Sequence, residues 1–364
     1  MNIALFLQMA AEACPDRRAL THHGDHYTYG RLFSAAKRAA FHFSTANCKF
    51  VSLLDTSSPA SPIALMGAAI AGVPYVPLNY RLSEEQIAPL FDRISPAYLI
   101  LGERDETYDF DGWVVQDSAD FLSDVLSGEE VDVTWNEDPA AVAVQLFTSG
   151  TTGIPKAALL RHEHLVSYIL GSVEFMGALE DEAALVSVPP YHIAGISATM
   201  SNIYACRQIV QLPDFDAAEW LSLAAEEGVT SAFVVPTMLT RIIEEIDKTK
   251  LDPRALSSLT SIAYGGGKMP VPVIERALKL FPGVNFTNAY GLTETSSTIA
   301  LLDPDDHRAA IDQVDEAVHA RLGSVGKPLP SVEIEVRDED GQQLGPFEPG
   351  EIYVRGPQVS GEYD

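Results

Sequence analysis

The chain has 364 residues, 46% of them hydrophobic and 21% charged, with a formal net charge of −27. That length exceeds one ordinary core and predicts two or three subdomains of a folded, globular protein. The acidic balance excludes nucleic acid as the expected partner, and no apolar run reaches the roughly 20 residues of a membrane-spanning helix.

At the N-terminus, Leu5, Phe6, Met9 and Ala10 recur at helical spacing without a basic segment before them. This predicts an amphipathic helix ending before Pro15 rather than a signal peptide. Three scattered cysteines, Cys14, Cys48 and Cys206, read as free thiols of a reducing compartment, so a cytoplasmic location is expected. Short apolar strands are predicted at 49–54, 97–101 and 142–146, with a helix of small residues around 64–71. The next strands, at 184–188, 231–235, 261–264 and 285–289, each run into proline or glycine. Strands alternating with helices predict an α/β fold with mostly parallel sheets. Ligands bind such sheets at the carboxyl ends of strands, so these loops are expected to converge on one cleft. Beyond about residue 322 the pattern changes. Residues 332–337 alternate with period two, Asp338-Glu339-Asp340-Gly341 signals a turn, and 351–355 form a second strand. The predicted division is a first α/β unit over 1–165, a second over 166–322, and a partial β-barrel unit over 323–364.

The richest motif is Thr148-Ser149-Gly150-Thr151-Thr152-Gly153-Ile154-Pro155-Lys156. Hydroxyls, glycines and one lysine at the end of an apolar strand can offer backbone N–H groups, O–H groups and a charge to a polyphosphate. The spacing is not that of the G-x-x-x-x-G-K-[ST] phosphate loop. Its glycines are too close, Ala157 follows the lysine, and Pro155 opposes a helix start. An acidic protein that holds ATP needs local donors and a cation, so Mg²⁺ is expected between phosphates and a carboxylate.

This loop, Tyr290-Gly291-Leu292-Thr293-Glu294, and the segments Val76-Pro77-Leu78-Asn79 and Gly350-Glu351-Ile352-Tyr353-Val354-Arg355-Gly356-Pro357 resemble the adenylate-forming enzymes. Within that superfamily the chain is most similar to the N-terminal domain of acyl-CoA and aryl-CoA ligases. The resemblance spans essentially the whole chain. It implies two mostly parallel sheets packed with helices in a layered αβαβα core, plus a small antiparallel β-barrel. It also implies a two-step reaction. A carboxylate attacks the α-phosphate of ATP, releasing pyrophosphate and leaving an acyl-adenylate, and a thiol, that of CoA, then displaces AMP. The implied partners are ATP with Mg²⁺, a small carboxylic acid and CoA. A carrier protein or partner ligase is the alternative acceptor, a non-catalytic ATP-binding remnant is the alternative of another class, and an oligomer is compatible with the sequence.

Residue by residue, Ser149, Gly150, Thr151, Thr152, Gly153 and Lys156 match the loop over the β- and γ-phosphates. Thr148 and Glu294 match the Mg²⁺ positions, and Thr293 the hydroxyl toward the α-phosphate. Asn288, Ala289, Tyr290 and Gly291 match the adenine-binding run, and Gly265, Gly266 and Gly267 the segment lying against adenine and acyl group. His192 matches the histidine beside the substrate carboxylate. It is expected to orient the acid rather than act as a base, because a carboxylate is already ionised at neutral pH. His192, Lys156, Glu294 and Thr293 are the expected catalytic set. The acid site is expected to use His192, Ile193, Gly195, Ile196, Phe233, Val235, Tyr264, Gly265 and Lys268, the last as a rim anchor or surface residue. These stretches are apolar and lack arginine, which predicts a hydrophobic monocarboxylic acid and disfavours a diacid. The family's ribose-binding aspartate, hinge and C-terminal domain with its adenylation lysine have no counterpart in the 364 residues. The chain is therefore expected to be truncated, to adenylate poorly and to form no thioester. Thioester formation at the rate of a full-length enzyme would overturn that.

Overall fold

The computed structural model describes residues 1–104, 108–148, 155–311 and 315–364. Two large sheets carry the fold. A six-stranded sheet runs, in spatial order, Val114–Asp117, Ala97–Leu101, Phe50–Leu54, Tyr75–Pro77, Val142–Thr148 and Lys156–Arg161. Only the last strand is antiparallel to its neighbour. A nine-stranded sheet has a parallel centre of Asn285–Leu292, Ser261–Gly265, Ser231–Val234, Ala183–Val186, Gln208–Gln211 and Arg18–His22, with antiparallel strands at both edges. The N-terminal hairpin thus joins the second sheet, although most of the first unit's strands lie in the other. Glu333–Arg337 and Glu351–Arg355 pair as an antiparallel ribbon.

Between the sheets lies the largest apolar core. The helix Ala60–Ala71 is built of small and aliphatic residues and is buried throughout from Ala60 to Ile70. Alanines 35, 36, 39 and 40 of the helix Tyr29–Thr45 belong to the same cluster, as do Phe6, Leu7 and Ala10 of the N-terminal helix Leu5–Ala13. A second core covers the outer face of the nine-stranded sheet with the helices Ala217–Glu226, Pro236–Thr249 and Val271–Leu280. A third covers the other sheet with Glu84–Arg93. Helix, sheet, helix, sheet, helix is the layering the sequence predicts. Helix starts are set locally. The Thr28 hydroxyl accepts from Arg31 N–H, and the Asp216 carboxylate accepts from Ala218 and Glu219 N–H.

His162 ties the N-terminal segment to this core. It is 1% exposed, and its Nδ1 accepts a hydrogen bond from Ile3 N–H at 3.3 Å. Burial drives its pKa down from 6.5 to about 4. The unfolded chain therefore binds a proton that the folded chain refuses between these values. This contribution is fully present above pH 6.5 and is lost as pH falls toward 4, at most about 3 kcal/mol. His162→Gln should be less stable than wild type at pH 7. In urea titrations from pH 7 to 4.5 that gap should narrow, because only the wild type takes the proton penalty.

Candidate active site

Five strand ends of the nine-stranded sheet and the end of Val142–Thr148 face one cleft of about 1000 Å³. Its walls include Thr148 and Lys156 from one sheet. The other sheet contributes Ser187–Pro189, Val235, Gly266 and Gly291 through Glu294. The Pro and Gly punctuation after each strand is what turns these loops toward the cleft. Gly266 has φ +74°, a conformation that a side chain would disfavour. At Gly291 the neighbouring strand is so close that a Cβ would lie 1.7 Å from the Ser297 carbonyl oxygen.

Lys156, Thr148, Thr293, Glu294 and His192 all line the cleft. The Thr148 hydroxyl donates to Lys156 O at 3.3 Å. The Glu294 carboxylate accepts from the Tyr363 hydroxyl, and the Lys156 ammonium stands 5.3 Å from the Tyr363 ring centroid. The hydrogen bond to Glu294, with burial and then the carboxylate charge, pushes the Tyr363 phenol up to about 12, so it remains a donor at neutral pH. His192 precedes the helix Ile193–Tyr204, with its carbonyl accepting from Gly195 and Ile196 N–H. Its side chain opens to the cleft, yet the surrounding walls displace bulk water. That desolvation, with the nearby Arg81 charge, holds the imidazole below its ordinary 6.5 and hence neutral at pH 7. Among the described residues no cluster of three or more His, Cys, Asp or Glu side chains could hold a metal unaided. One carboxylate beside a hydroxyl suits Mg²⁺, which takes most of its ligands from phosphate and water.

Several expected residues do not reach the cleft. Tyr264 faces the opposite side of its strand. It is 0% exposed, and its hydroxyl is 2.8 Å from His307 Nε2. Strand alternation is the cause. Ser261 and Ala263 look toward the cleft side, whereas Ile262 and Tyr264 fill the outer core. In the helix after His192, Ile193, Ala194, Ala198 and Ser201 line the open cavities, whereas Gly195 and Ile196 turn inward and are buried. Lys268 is exposed, and it, Gly265 and Gly267 are not among the residues lining the cleft, although Gly266 is. Asn288 and Tyr290 also lie off the cleft. The Asn288 amide donates to Ser324 O at 2.9 Å, and Tyr290 packs on Ile299, Leu329 and Val332. Ala289 instead lines an inner chamber of about 350 Å³, which adjoins the cleft at Val188, Ala194 and Phe233. Ser149, Gly150, Thr151, Thr152 and Gly153 fall outside the described residues.

The cleft also holds residues that local sequence patterns miss. Arg81, following the strand Tyr75–Pro77, pairs with Asp214 at 2.8 Å and lines the wall with Tyr80. It lies just past a strand's carboxyl end, the one signal that could have found it. Arg241 enters from the helix Pro236–Thr249, and Tyr363 from far along the chain. The absence of arginine from the local acid-site stretches therefore does not describe the assembled cleft.

Comparison with known proteins places this geometry. A family model described as AMP-binding enzyme matches residues 7–364. The 2-succinylbenzoate–CoA ligase of Bacillus licheniformis is 32% identical over 98% of this chain and 71% of its own length. The ligase of the same name from Bacillus subtilis is 28% identical over 98% and 70%. The structure of the Bacillus subtilis o-succinylbenzoate CoA synthetase with its acyl-adenylate intermediate superposes with a TM-score of 0.83. It is 29% identical and covers 98% of this chain and 70% of that one. The N-terminal domain of FACL13 from Mycobacterium tuberculosis shares the fold, with a TM-score of 0.85 at 22% identity, covering 100% and 90%. With a family model spanning residues 7–364 and a relative 32% identical over nearly the whole chain, the chain belongs to the AMP-binding enzyme family.

Proposed function

We propose that this cleft activates a carboxylic acid with ATP to an acyl-adenylate and that the acyl group then passes to CoA. The observation carrying this reading is that Lys156, Thr148, Thr293, Glu294 and His192, far apart in sequence, line one cleft at the strand ends. Relatives support it by name as CoA ligases, and one is solved in complex with ATP and a magnesium ion. Bringing a carboxylate to a polyphosphate sets anion against anion. Lys156 offsets charge at the β- and γ-phosphates, and the Thr293 hydroxyl faces the α-phosphate where charge develops. Glu294 and Thr148 would hold Mg²⁺, which when bound neutralises phosphate charge. A neutral His192 positions the acid through a hydrogen bond without pairing away the carboxylate's charge.

For the acid, we propose an apolar body with a second anionic group. Ile193, Phe233, Val235 and Met238 supply apolar wall, while Arg241 faces the same cleft with no ion pair among the described residues. The relatives are named for a diacid of this kind, 2-succinylbenzoate. A panel of aromatic and aliphatic mono- and diacids, with ATP and Mg²⁺, should release pyrophosphate and show acyl-adenylate by mass spectrometry. Arg241→Ala should lower kcat/KM for the preferred diacid about 30-fold, the worth of a charge-assisted hydrogen bond, and spare the matching monoacid. Equal losses on both acids exclude the second-anion reading, and no pyrophosphate with any acid counts against the activation itself. Adding CoA or a carrier protein then decides the acceptor.

A further inference from the structure

Residues 358–364 run as a strap between the two large sheets at the phosphate end of the cleft. On one side Leu159 N–H donates to Glu362 O at 3.0 Å and Asp364 N–H to Ala157 O at 2.9 Å, pairing the strap with the edge strand that carries Lys156. On the other side Ser360 N–H donates to Glu294 O at 2.8 Å. Gln358, 0% exposed, donates to Thr295 O at 3.0 Å and Thr298 O at 2.8 Å and accepts from the Ser331 hydroxyl at 2.9 Å. Arg161 grips Glu362 through two bonds of 2.9 and 2.7 Å. That pair is partly exposed, so the buried glutamine and the backbone bonds are the stronger anchors.

This anchoring sets Tyr363 between two opposite charges. Its hydroxyl donates to the Glu294 carboxylate and its ring faces the Lys156 ammonium. Neither charge has another side-chain partner among the described residues. An ammonium and a carboxylate sharing a cleft attract each other, and in this partly exposed site a direct pair would form at modest gain. A direct pair would consume the cation meant for phosphate and the carboxylate meant for metal. A ring face holds the ammonium more weakly, so phosphate can draw it away, and the neutral O–H takes only Oε1 of Glu294, orienting the carboxylate and leaving Oε2 for metal. We propose that Tyr363 is a positioning residue for the adenylation site: its ring keeps Lys156 and Glu294 from pairing, and its hydroxyl presents the carboxylate. This rests on reading Lys156 and Glu294 as the groups facing ATP and Mg²⁺.

The test measures binding rather than turnover. ATP is titrated calorimetrically into the 364-residue chain without metal, and Mn²⁺ binding in the presence of ATP is followed by electron paramagnetic resonance. Tyr363→Phe keeps the ring. It should bind metal-free ATP as wild type does and raise the Mn²⁺ half-saturation about fivefold, the loss of one hydrogen bond. Tyr363→Ala removes the spacer and should weaken metal-free ATP binding about threefold as Lys156 turns to Glu294, the worth of an exposed ion pair. Adding Glu294→Gln to Tyr363→Ala should restore metal-free ATP binding, an outcome that a merely structural role for Tyr363 does not produce. Thermal unfolding confirms that each variant is folded. Wild-type binding with unaltered half-saturation in Tyr363→Phe, or a double variant that is not restored, overturns the positioning role alone. A wild-type chain that binds neither ATP nor Mn²⁺ overturns the reading of the site and this inference with it.

Discussion

Gly291→Ala is expected to cost the fold about 3 kcal/mol, at the upper end of overpacking effects, and to lower adenylation at least tenfold. A Cβ at this position would meet the Ser297 carbonyl oxygen at 1.7 Å and Thr298 Cα at 2.9 Å. Both are main-chain atoms, so no rotamer change relieves the clash. The strand Asn285–Leu292 would have to part from Ser297–Leu302. The turn between them has little room to yield: the Thr295 hydroxyl donates to Ser297 O at 2.8 Å and accepts from Leu292 N–H at 3.0 Å. Thr293 and Glu294 sit in that turn, so the displacement reaches the reacting groups directly. Urea denaturation checks the stability loss. Gly283→Ala is the control, because a Cβ there meets nothing within 4 Å and should change stability by less than about 0.5 kcal/mol. A Gly291→Ala midpoint equal to that of the control would show that the strand pair opens at little cost.

Glu294→Gln is expected to act on chemistry and spare the fold. The amide is nearly isosteric, and its oxygen still accepts from the Tyr363 hydroxyl, so the unfolding midpoint should stay near that of the wild type. What disappears is the negative charge. Loss of a group that organises the charge-stabilising apparatus typically lowers turnover by 10²–10³, and a fall on the order of 10² or more in acid-dependent pyrophosphate release is expected here. Raising Mg²⁺ should recover part of that activity if Glu294 helps hold the ion. A variant with wild-type turnover at limiting Mg²⁺ would remove Glu294 from the metal site.

Much of this architecture is legible in the sequence. Apolar strands at 50–54, 97–101, 231–234 and 261–265 are short, bounded by turn residues and separated by helical patterns, which is enough to read an α/β fold. Lys156, Thr293 and Glu294 announce themselves because hydroxyls, glycine and charge are packed beside strand ends. Facing is harder to read. Both sides of the nine-stranded sheet are covered, one by the outer core and one by the inner chamber and cleft. Tyr264 and Ala263 therefore look equally suited to burial, and no polar alternation says which of them meets the substrate. Arg81, Arg241 and Tyr363 are illegible for a different reason. Each belongs to an element whose place depends on how the sheets pack, and no local period encodes that packing. The first hairpin shows the same limit: nothing in residues 18–28 states that they join a sheet whose other strands begin past residue 180.

The alternation that removes Tyr264 from the cleft has a wider consequence for how this scaffold tolerates change. Ser231 and Phe233, Ser261 and Ala263, Thr287 and Ala289 form three side-by-side columns lining the chamber. Their neighbours Val234, Ile262, Tyr264 and Phe286 seal the hydrophobic layer on the far side. Point changes along the columns can therefore redraw the chamber while the structural layer is left untouched. Inserting or deleting a single residue in any of these strands would do the reverse, handing the lining to the core and the core to the lining. The shape of the chamber is thus open to substitution and closed to changes of length.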